Sequence, residues 1–383
     1  MNNSETKRTP LHAWHVAHGA KMAPFAGFDM PIQYSGIRQE HEAVRARAGL
    51  FDVSHMGNFT VRGPGALAYL QRLTINDVAK LAPGDVQYSA LCREDGGVID
   101  DILVYCVAKG DYMVVVNAAN IAKDWNWAAT HHKKWEADCE MENASEMLSI
   151  LSLQGPESEA ILREVAPAFD GAMKTYQCGK LVVNGIEMLV GRTGYTGEDG
   201  FEFYPKAEDA PAVWDALMQA GAKIVPGGVL PIGLAARDTL RLESGYSLYG
   251  HELDETVNPL DAGLGWITAL DSAEKGDFLG REALQAIRDM GPARKTTGVL
   301  LDDLAIPREG CQVILNGRIV GAVTSGTLSP TLGKGIALAR VEPEAAEKGR
   351  ALEVEIRGVR KAARAVNRAF YKRPKAAQSP AAA

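Results

Sequence analysis

The sequence predicts an α+β fold: two stretches of mixed helix and strand, followed by a small C-terminal β-barrel or jelly-roll module. Three observations carry the prediction. Up to Trp266, helical apolar spacing alternates with short strand runs. Glycine-rich turns divide apolar runs too short to be buried helices. Beyond Trp266 the chain reads as short strands broken by Gly and Pro. With 383 residues, 46% of them apolar, the chain can bury a large core, and roughly 150 residues per domain gives two or three domains.

Ile37 to Arg47 has helical spacing through Ile37, His41 and Val44, and Phe59 to Gly63 reads as a strand entering a turn. Strands follow at Tyr88 to Arg93, Val98 to Val107 and Tyr112 to Val116, with a turn at Glu94 to Gly97, because Asp-Gly-Gly between apolar runs favours a hairpin. A strand at Met147 to Leu153, a helix opening at Pro156 and strands through Phe203 repeat the mixed layout. The run Gly233 to Glu243 suits a buried helix. The last module is read from strands at Thr297 to Leu301, Gln312 to Leu315, Arg318 to Thr324 and Ala351 to Ile356. Pro374 to Ala383, made only of Ala, Pro, Lys, Gln and Ser, reads as a disordered tail.

Composition narrows the function. No apolar run approaches the roughly 20 residues of a membrane-spanning helix, and Met1 to Arg8 has no apolar segment behind its charges, which predicts a cytoplasmic protein. The five cysteines lack C-x-x-C or His spacing, which predicts reduced thiols and no zinc site. A net charge of −7 argues against general nucleic-acid binding. The common cofactor motifs are missing: Gly326 to Lys334 has the wrong spacing for a phosphate loop, and no G-x-G-x-x-G, G-x-S-x-G or H-E-x-x-H occurs.

Three motifs remain. In Val98-Ile99-Asp100-Asp101-Ile102-Leu103-Val104-Tyr105, alternation puts Asp100 with Ile102 and Val104, and Asp101 with Leu103 and Tyr105. Both faces are otherwise apolar, so at least one carboxylate sits in low dielectric and needs a partner. The pair marks either a frayed hairpin beside Gly97 or a positioned acid or base. The glycines of Thr193 to Gly200 serve either a tight turn or close approach by a ligand. Arg237 and Arg241 have no i, i+4 acid in Ala236 to Glu243, so they need partners elsewhere, in a structural ion pair or a site.

Taken together, Phe51-Asp52-Val53-Ser54-His55-Met56, Gly96 to Asp101, Thr193 to Gly200, Ala236 to Glu243, Leu248 to Glu252, Gly263 to Trp266 and Thr324 to Pro330 resemble the glycine cleavage T-protein family. The likeness runs from Thr9 to about Pro374. It implies a three-domain cloverleaf around a central folate channel: residues 1–52 with 145–228, residues 53–144 with 229–285, and a barrel-like domain at 286–373. It also implies tetrahydrofolate as co-substrate, no metal and no nucleotide, and the lipoylated H protein as partner. The reaction would pass the methylene of the aminomethyl group on the lipoyl arm to tetrahydrofolate and release ammonia. Carried over by position, Asp100 matches the catalytic aspartate, and Glu198 and Arg237 match folate-site residues. Tyr88, Asn117, Met56, Tyr195 and Trp266 match channel positions, and Tyr371 matches a further folate contact.

The residue types suit that chemistry. A carboxylate can accept the amino group and ring N–H of a pterin edge together, and a buried carboxylate can take a proton and balance a developing cation. Two relatives within the superfamily compete. A folate-binding maintenance protein would carry a cysteine where Lys275-Gly276-Asp277-Phe278 has Asp277, and a tetrahydrofolate-dependent demethylase of a sulfonium or ether would share the channel. One charge feature stands out: Arg357, Arg360, Lys361, Arg364, Arg368, Lys372 and Arg373 form either a solvated strand and helix end or a landing patch for an acidic partner.

Overall fold

A computed structural model describes residues 6–374. The tail assigned to residues 374–383 therefore lies outside the described residues apart from Pro374. Three sheets organise the chain. The first has six strands, in the order Cys178–Val183, Ile186–Gly191, Gly200–Tyr204, Leu151–Gln154, Gly49–Asp52 and Leu230–Pro231. The second has five: Val86–Cys92, Val98–Ala108, Asp111–Val116, Gly57–Arg62 and Glu140–Asn143. The third is a closed six-stranded barrel, Lys295–Leu301, Lys334–Val341, Arg318–Ser329, Gln312–Leu315, Ala351–Ile356 and Val359–Val366. Closure removes the sheet edges and decides for a barrel over a jelly roll.

Each sheet has its own core. Trp214, Phe201 and Phe203 centre the first, Leu70, Ile102 and Val104 the second, and Val299, Val313 and Ala339 the barrel. A fourth cluster, with Phe51, Val53, Tyr105, Met113 and Leu240, joins the first two sheets through helix Leu234–Glu243. Helix Ile37–Ala46 forms as its spacing foretold and buries His41 and Val44, while Ile37, the first residue of that spacing, stays 38% exposed. Its start is fastened by Glu40, whose carboxylate accepts from the backbone of Tyr34 at 2.7 Å, Gly36 at 3.0 Å and Gly233 at 2.7 Å. One acid thus satisfies orphan amides of two helix starts.

The hairpin at Glu94 to Gly97 forms as expected. Gly96 takes φ +87°, and a Cβ on Gly97 would lie 2.0 Å from the Glu255 carbonyl oxygen, so both glycines are required. Elsewhere the elements depart from the sequence reading. Met147 and Leu148 belong to a turn closed on the Ala144 carbonyl, and the strand begins only at Leu151. The sequence reading gives no sign of helix Arg281–Met290 or strand Lys334–Val341, whereas the strand expected in the basic run forms at Val359–Val366 and the helix end expected after it does not. The two strands are rich in Ala and in basic residues, which have little strand preference of their own; both pair with the distant Lys295–Leu301, and Val359–Val366 also forms a hairpin with the adjacent Ala351–Ile356.

Those partners also decide the basic run. Lys361 pairs with Asp303 at 2.9 Å, Arg364 with Asp302 at 2.9 Å and Arg360 with Glu353 at 3.6 Å, all on the surface. Arg373 reaches Asp199 at 3.6 Å, and Arg368 turns inward. Acids from neighbouring loops and strands therefore offset much of the cluster. No described helix is long and apolar enough to cross a membrane.

Candidate active site

Where the three sheets meet lies a cavity of about 800 Å³. Its walls come from the loop Val53 to Met56, the strand Val98–Ala108, the Thr193 to Tyr195 loop, helix Leu234–Glu243, the barrel at Thr324 to Gly326 and the segment Arg368–Ala369. A volume of this size holds a drug-sized ligand.

Six of the nine residues singled out from the sequence line it: Met56, Tyr88, Asn117, Tyr195, Arg237 and Trp266. Trp266 is 71% exposed and stands at the mouth, its ring 6.0 Å from that of Tyr88. Asp100, Glu198 and Tyr371 are not on the wall. For Asp100 the cause is strand alternation, because its face of Val98–Ala108 turns to helix Ile121–Lys134, whereas Asp101 shares the cavity face with Leu103. Two adjacent aspartates inside an apolar strand give no sequence signal of which face is which.

Asp100 is fully buried and saturated. It accepts from the Asn117 backbone at 2.8 Å, the Asn117 amide at 2.8 Å and the Asn120 amide at 2.6 Å. Asp101 accepts from the Tyr88 hydroxyl at 2.8 Å and the Asn117 amide at 2.9 Å. Asn117 therefore clamps both carboxylates. Burial, and then the charge of Asp100, push the Asp101 carboxyl up to about 7, against the hydrogen bonds from Tyr88 and Asn117. Asp124, buried on the same helix face, is pushed up to about 11 by burial and by Asp100, so it keeps its proton at neutral pH. The frayed-hairpin alternative fails on this geometry.

Glu198 stands apart from the cavity in an ion-pair network. Its side chain is 1% exposed and meets Arg45 Nη1 at 3.0 Å, while the Arg45 guanidinium lies 3.8 Å from the Tyr371 ring centroid. The Thr193 to Gly200 loop serves as a turn: Gly197 has φ +78°, and a Cβ on Gly194 would sit 2.0 Å from Gln154 Oε1. Gln154 donates to the Thr193 carbonyl at 3.0 Å and accepts from the Thr196 hydroxyl at 3.0 Å. The carboxylate this loop delivers to the cavity is Glu202, 7% exposed, which accepts from the Thr193 hydroxyl at 2.6 Å and keeps its other oxygen out of any protein hydrogen bond among the described residues. A signal for Glu202 existed: it is the lone charge in the apolar strand Gly200–Tyr204.

The arginines divide between the two roles left open. Arg241 is structural, joined to Asp238 at 2.8 Å, Glu252 at 3.0 Å and Ser325 at 2.9 Å. Arg237 stacks over the Tyr195 ring at 4.8 Å, and its Nη1 is buried without a partner. Arg368, read from the sequence as part of the basic run, instead donates to the Ala262 carbonyl at 2.5 Å and Ser247 at 2.7 Å and carries the segment after the barrel into the cavity wall.

Residues 11–272 match the family model described as the GCVT N-terminal domain, and residues 294–372 match the glycine cleavage T-protein C-terminal barrel domain. The chain belongs to the glycine cleavage T-protein family. An aminomethyltransferase from Geobacillus sp. (strain WCH70) is 48% identical over 370 residues, covering 96% of this chain and 100% of the relative. One from Symbiobacterium thermophilum is 48% identical over 377 residues, covering 97% and 99%. The glycine cleavage system aminomethyltransferase T from Bartonella henselae, a solved structure, is similar with a TM-score of 0.89 and 32% identity, covering 96% of this chain and 99% of that one. As a T-protein family member the chain is a transferase enzyme, and the demethylase and maintenance-protein readings find no support in these likenesses.

Proposed function

We propose that the cavity binds tetrahydrofolate and receives the aminomethyl group from the lipoyl arm of the glycine cleavage H protein, forming methylenetetrahydrofolate, ammonia and the reduced arm. The observation that carries this reading is that Asp101 and Glu202 open onto one cavity of about 800 Å³. Glu202 offers a free carboxylate oxygen to the amino and N–H edge of a pterin, and Arg237 a free donor. Asp101, poised near neutrality, takes the proton released as the folate nitrogen is alkylated and balances positive charge nearby. Asp100, the position matched by resemblance, supports Asp101 through Asn117. Tyr88, Tyr195 and Met56 supply ring and thioether contacts, and Trp266 meets the incoming arm at the mouth.

The direct test supplies aminomethylated H protein and tetrahydrofolate and measures ammonia release. Turnover that requires both is expected. A silent assay with folded protein that still binds tetrahydrofolate would favour the demethylase or maintenance reading.

Two further outcomes separate the residues. Glu202→Gln is expected to weaken tetrahydrofolate binding by about 1.5–3 kcal/mol, the value of a hydrogen bond to a charged group, with little change in the melting temperature of the unliganded protein. Glu198→Gln should do the reverse, since its partner is Arg45 and not the ligand. Calorimetric titration and thermal melts of both variants check this. For the basic strand, exchanging the charges of two pairs (Lys361→Asp with Asp303→Lys, Arg364→Asp with Asp302→Arg) preserves local neutrality. The rate with H protein at low salt is expected to stay within about twofold, because an offset patch exerts little steering. A large salt-dependent loss would restore the landing-patch reading.

A further inference from the structure

His55 belongs to a motif that the proposed chemistry does not yet use. It is 3% exposed, lines the cavity, and its Nδ1 is buried without a hydrogen-bond partner. The ring is held edge-on by Phe25, with centroids 5.5 Å apart at 84°, and by Phe28 at 6.5 Å and 63°. Packing therefore fixes the imidazole while no described protein group fixes its tautomer. Burial first, and then the charge of Arg237, push His55 down to about 4 against the pull of Asp52, so it is a neutral ring at physiological pH.

Unpartnered buried nitrogens are few in folded proteins and need an explanation. Two that answer each other stand here: Arg237 Nη1, which can only donate, and the neutral imidazole, which can accept. With Arg237 and a neutral acceptor on the wall of one cavity, the pair matches a ligand edge that carries an acceptor beside a donor. On a reduced pterin, the ring carbonyl and the N5–H lie side by side in that order. In the oxidised ring N5 has no hydrogen and is itself an acceptor, so the same edge would set lone pair against lone pair.

Building on the folate reading, we propose that His55 is a specificity-determining residue that accepts from N5–H of the reduced pterin while Arg237 donates to the adjacent carbonyl, so that the cavity selects reduced over oxidised folate. His55 is a positioning residue here: it orients the nucleophilic nitrogen and takes no part in bond making.

The test measures binding of tetrahydrofolate and of folic acid, under anaerobic conditions, to the wild-type protein, His55→Phe and His55→Gln. Phenylalanine keeps the packing against Phe25 and Phe28 without the nitrogen, and glutamine returns an acceptor. The expected result is a roughly tenfold loss of tetrahydrofolate affinity in His55→Phe, the scale of one neutral hydrogen bond, with folic acid affinity unchanged or improved and partial recovery in His55→Gln. Equal losses for both ligands, or no loss for either, would overturn the assignment while leaving the folate reading intact. If the wild-type protein binds neither ligand, the folate reading fails and this inference with it. Should His55→Phe not fold, His55→Leu, which also lacks an acceptor, takes its place, and an undiminished preference for tetrahydrofolate in that folded variant sinks the idea.

Discussion

Asp101→Asn is expected to lower turnover by at least about 100-fold while the protein remains folded, because the amide keeps the shape and the Tyr88 contact but cannot take a proton. The pH dependence gives the sharper reading. The carboxyl is raised to about 7, so its proton-accepting form is present above that value and is lost as pH falls through it. kcat/KM should decline about tenfold per pH unit on the acid side of 7 and level off above, and that limb should vanish in Asp101→Asn. Asp100→Asn is expected to act differently. Removing the neighbouring charge lowers the Asp101 carboxyl, so the acid limb should move to lower pH, while the lost contacts with Asn117 and Asn120 lower the melting temperature. A collapse in Asp100→Asn with a near-normal Asp101→Asn would return the catalytic role to the position matched by resemblance.

The second large effect concerns Glu243, where helix, barrel and ion-pair network join. Its carboxylate, 0% exposed, accepts from Ser329 at 2.5 Å and Thr331 Oγ1 at 2.8 Å, and lies 3.0 Å from Arg45 Nη2 and 3.2 Å from His41 Nε2. Glu243→Ala leaves Arg45 with Glu198 as its one remaining carboxylate and strips Ser329 and Thr331 of their acceptor, and it is expected to cost about 3–5 kcal/mol, as when one member of a buried ion pair is removed. Burial alone would raise this carboxyl, but His41, Ser329 and Arg45 outweigh it and hold it at about 2. A depressed folded-state value means that the stabilisation is complete above the unfolded carboxylate value of about 4.3 and is lost as pH falls from there toward 2. The gap in urea midpoint between wild type and Glu243→Ala should therefore be widest at pH 6 to 7 and shrink steadily below about 4.5. A constant gap down to pH 2.5 would show that Glu243 acts by packing alone.

The two regions differ in how readably they were written. The hairpin at Gly96-Gly97 and the helix at Ile37 were legible because local rules decide them: positive φ needs glycine, and apolar spacing of about 3.6 needs a buried face. The strand Lys334–Val341 was not legible, since Gly, Ala and Arg interrupt its apolar residues and part of its pairing is with Lys295–Leu301, far along the chain. The site divides the same way. Tyr88, Asn117 and Arg237 were carried over by the family resemblance and lie on the wall, but that Asp101 and Glu202 line the cavity where the reading named Asp100 and Glu198 depends on which face of a strand or turn looks inward. That is a property of the neighbouring sheet and not of the motif. Arg237 and Arg241 were read as needing partners elsewhere; Arg241 finds Glu252 and Ser325 beyond its helix but also the local Asp238, and Arg237 Nη1 finds none among the described residues.

Arg368 and Ala369 follow every strand of the three sheets along the chain, yet they form part of the cavity wall. Phe370 and Tyr371 tie this stretch to the Glu243 carbonyl, each by a backbone bond of 2.8 Å, and Gly245 leaves just enough room for it to pass. During synthesis the first two sheets emerge and can fold long before this segment leaves the ribosome, since domains generally fold as units in N-to-C order. Their folding and the completion of the ligand chamber are therefore separate events in time. The wall of the ligand chamber is thus completed by a stretch that comes after every strand that shapes the rest of it.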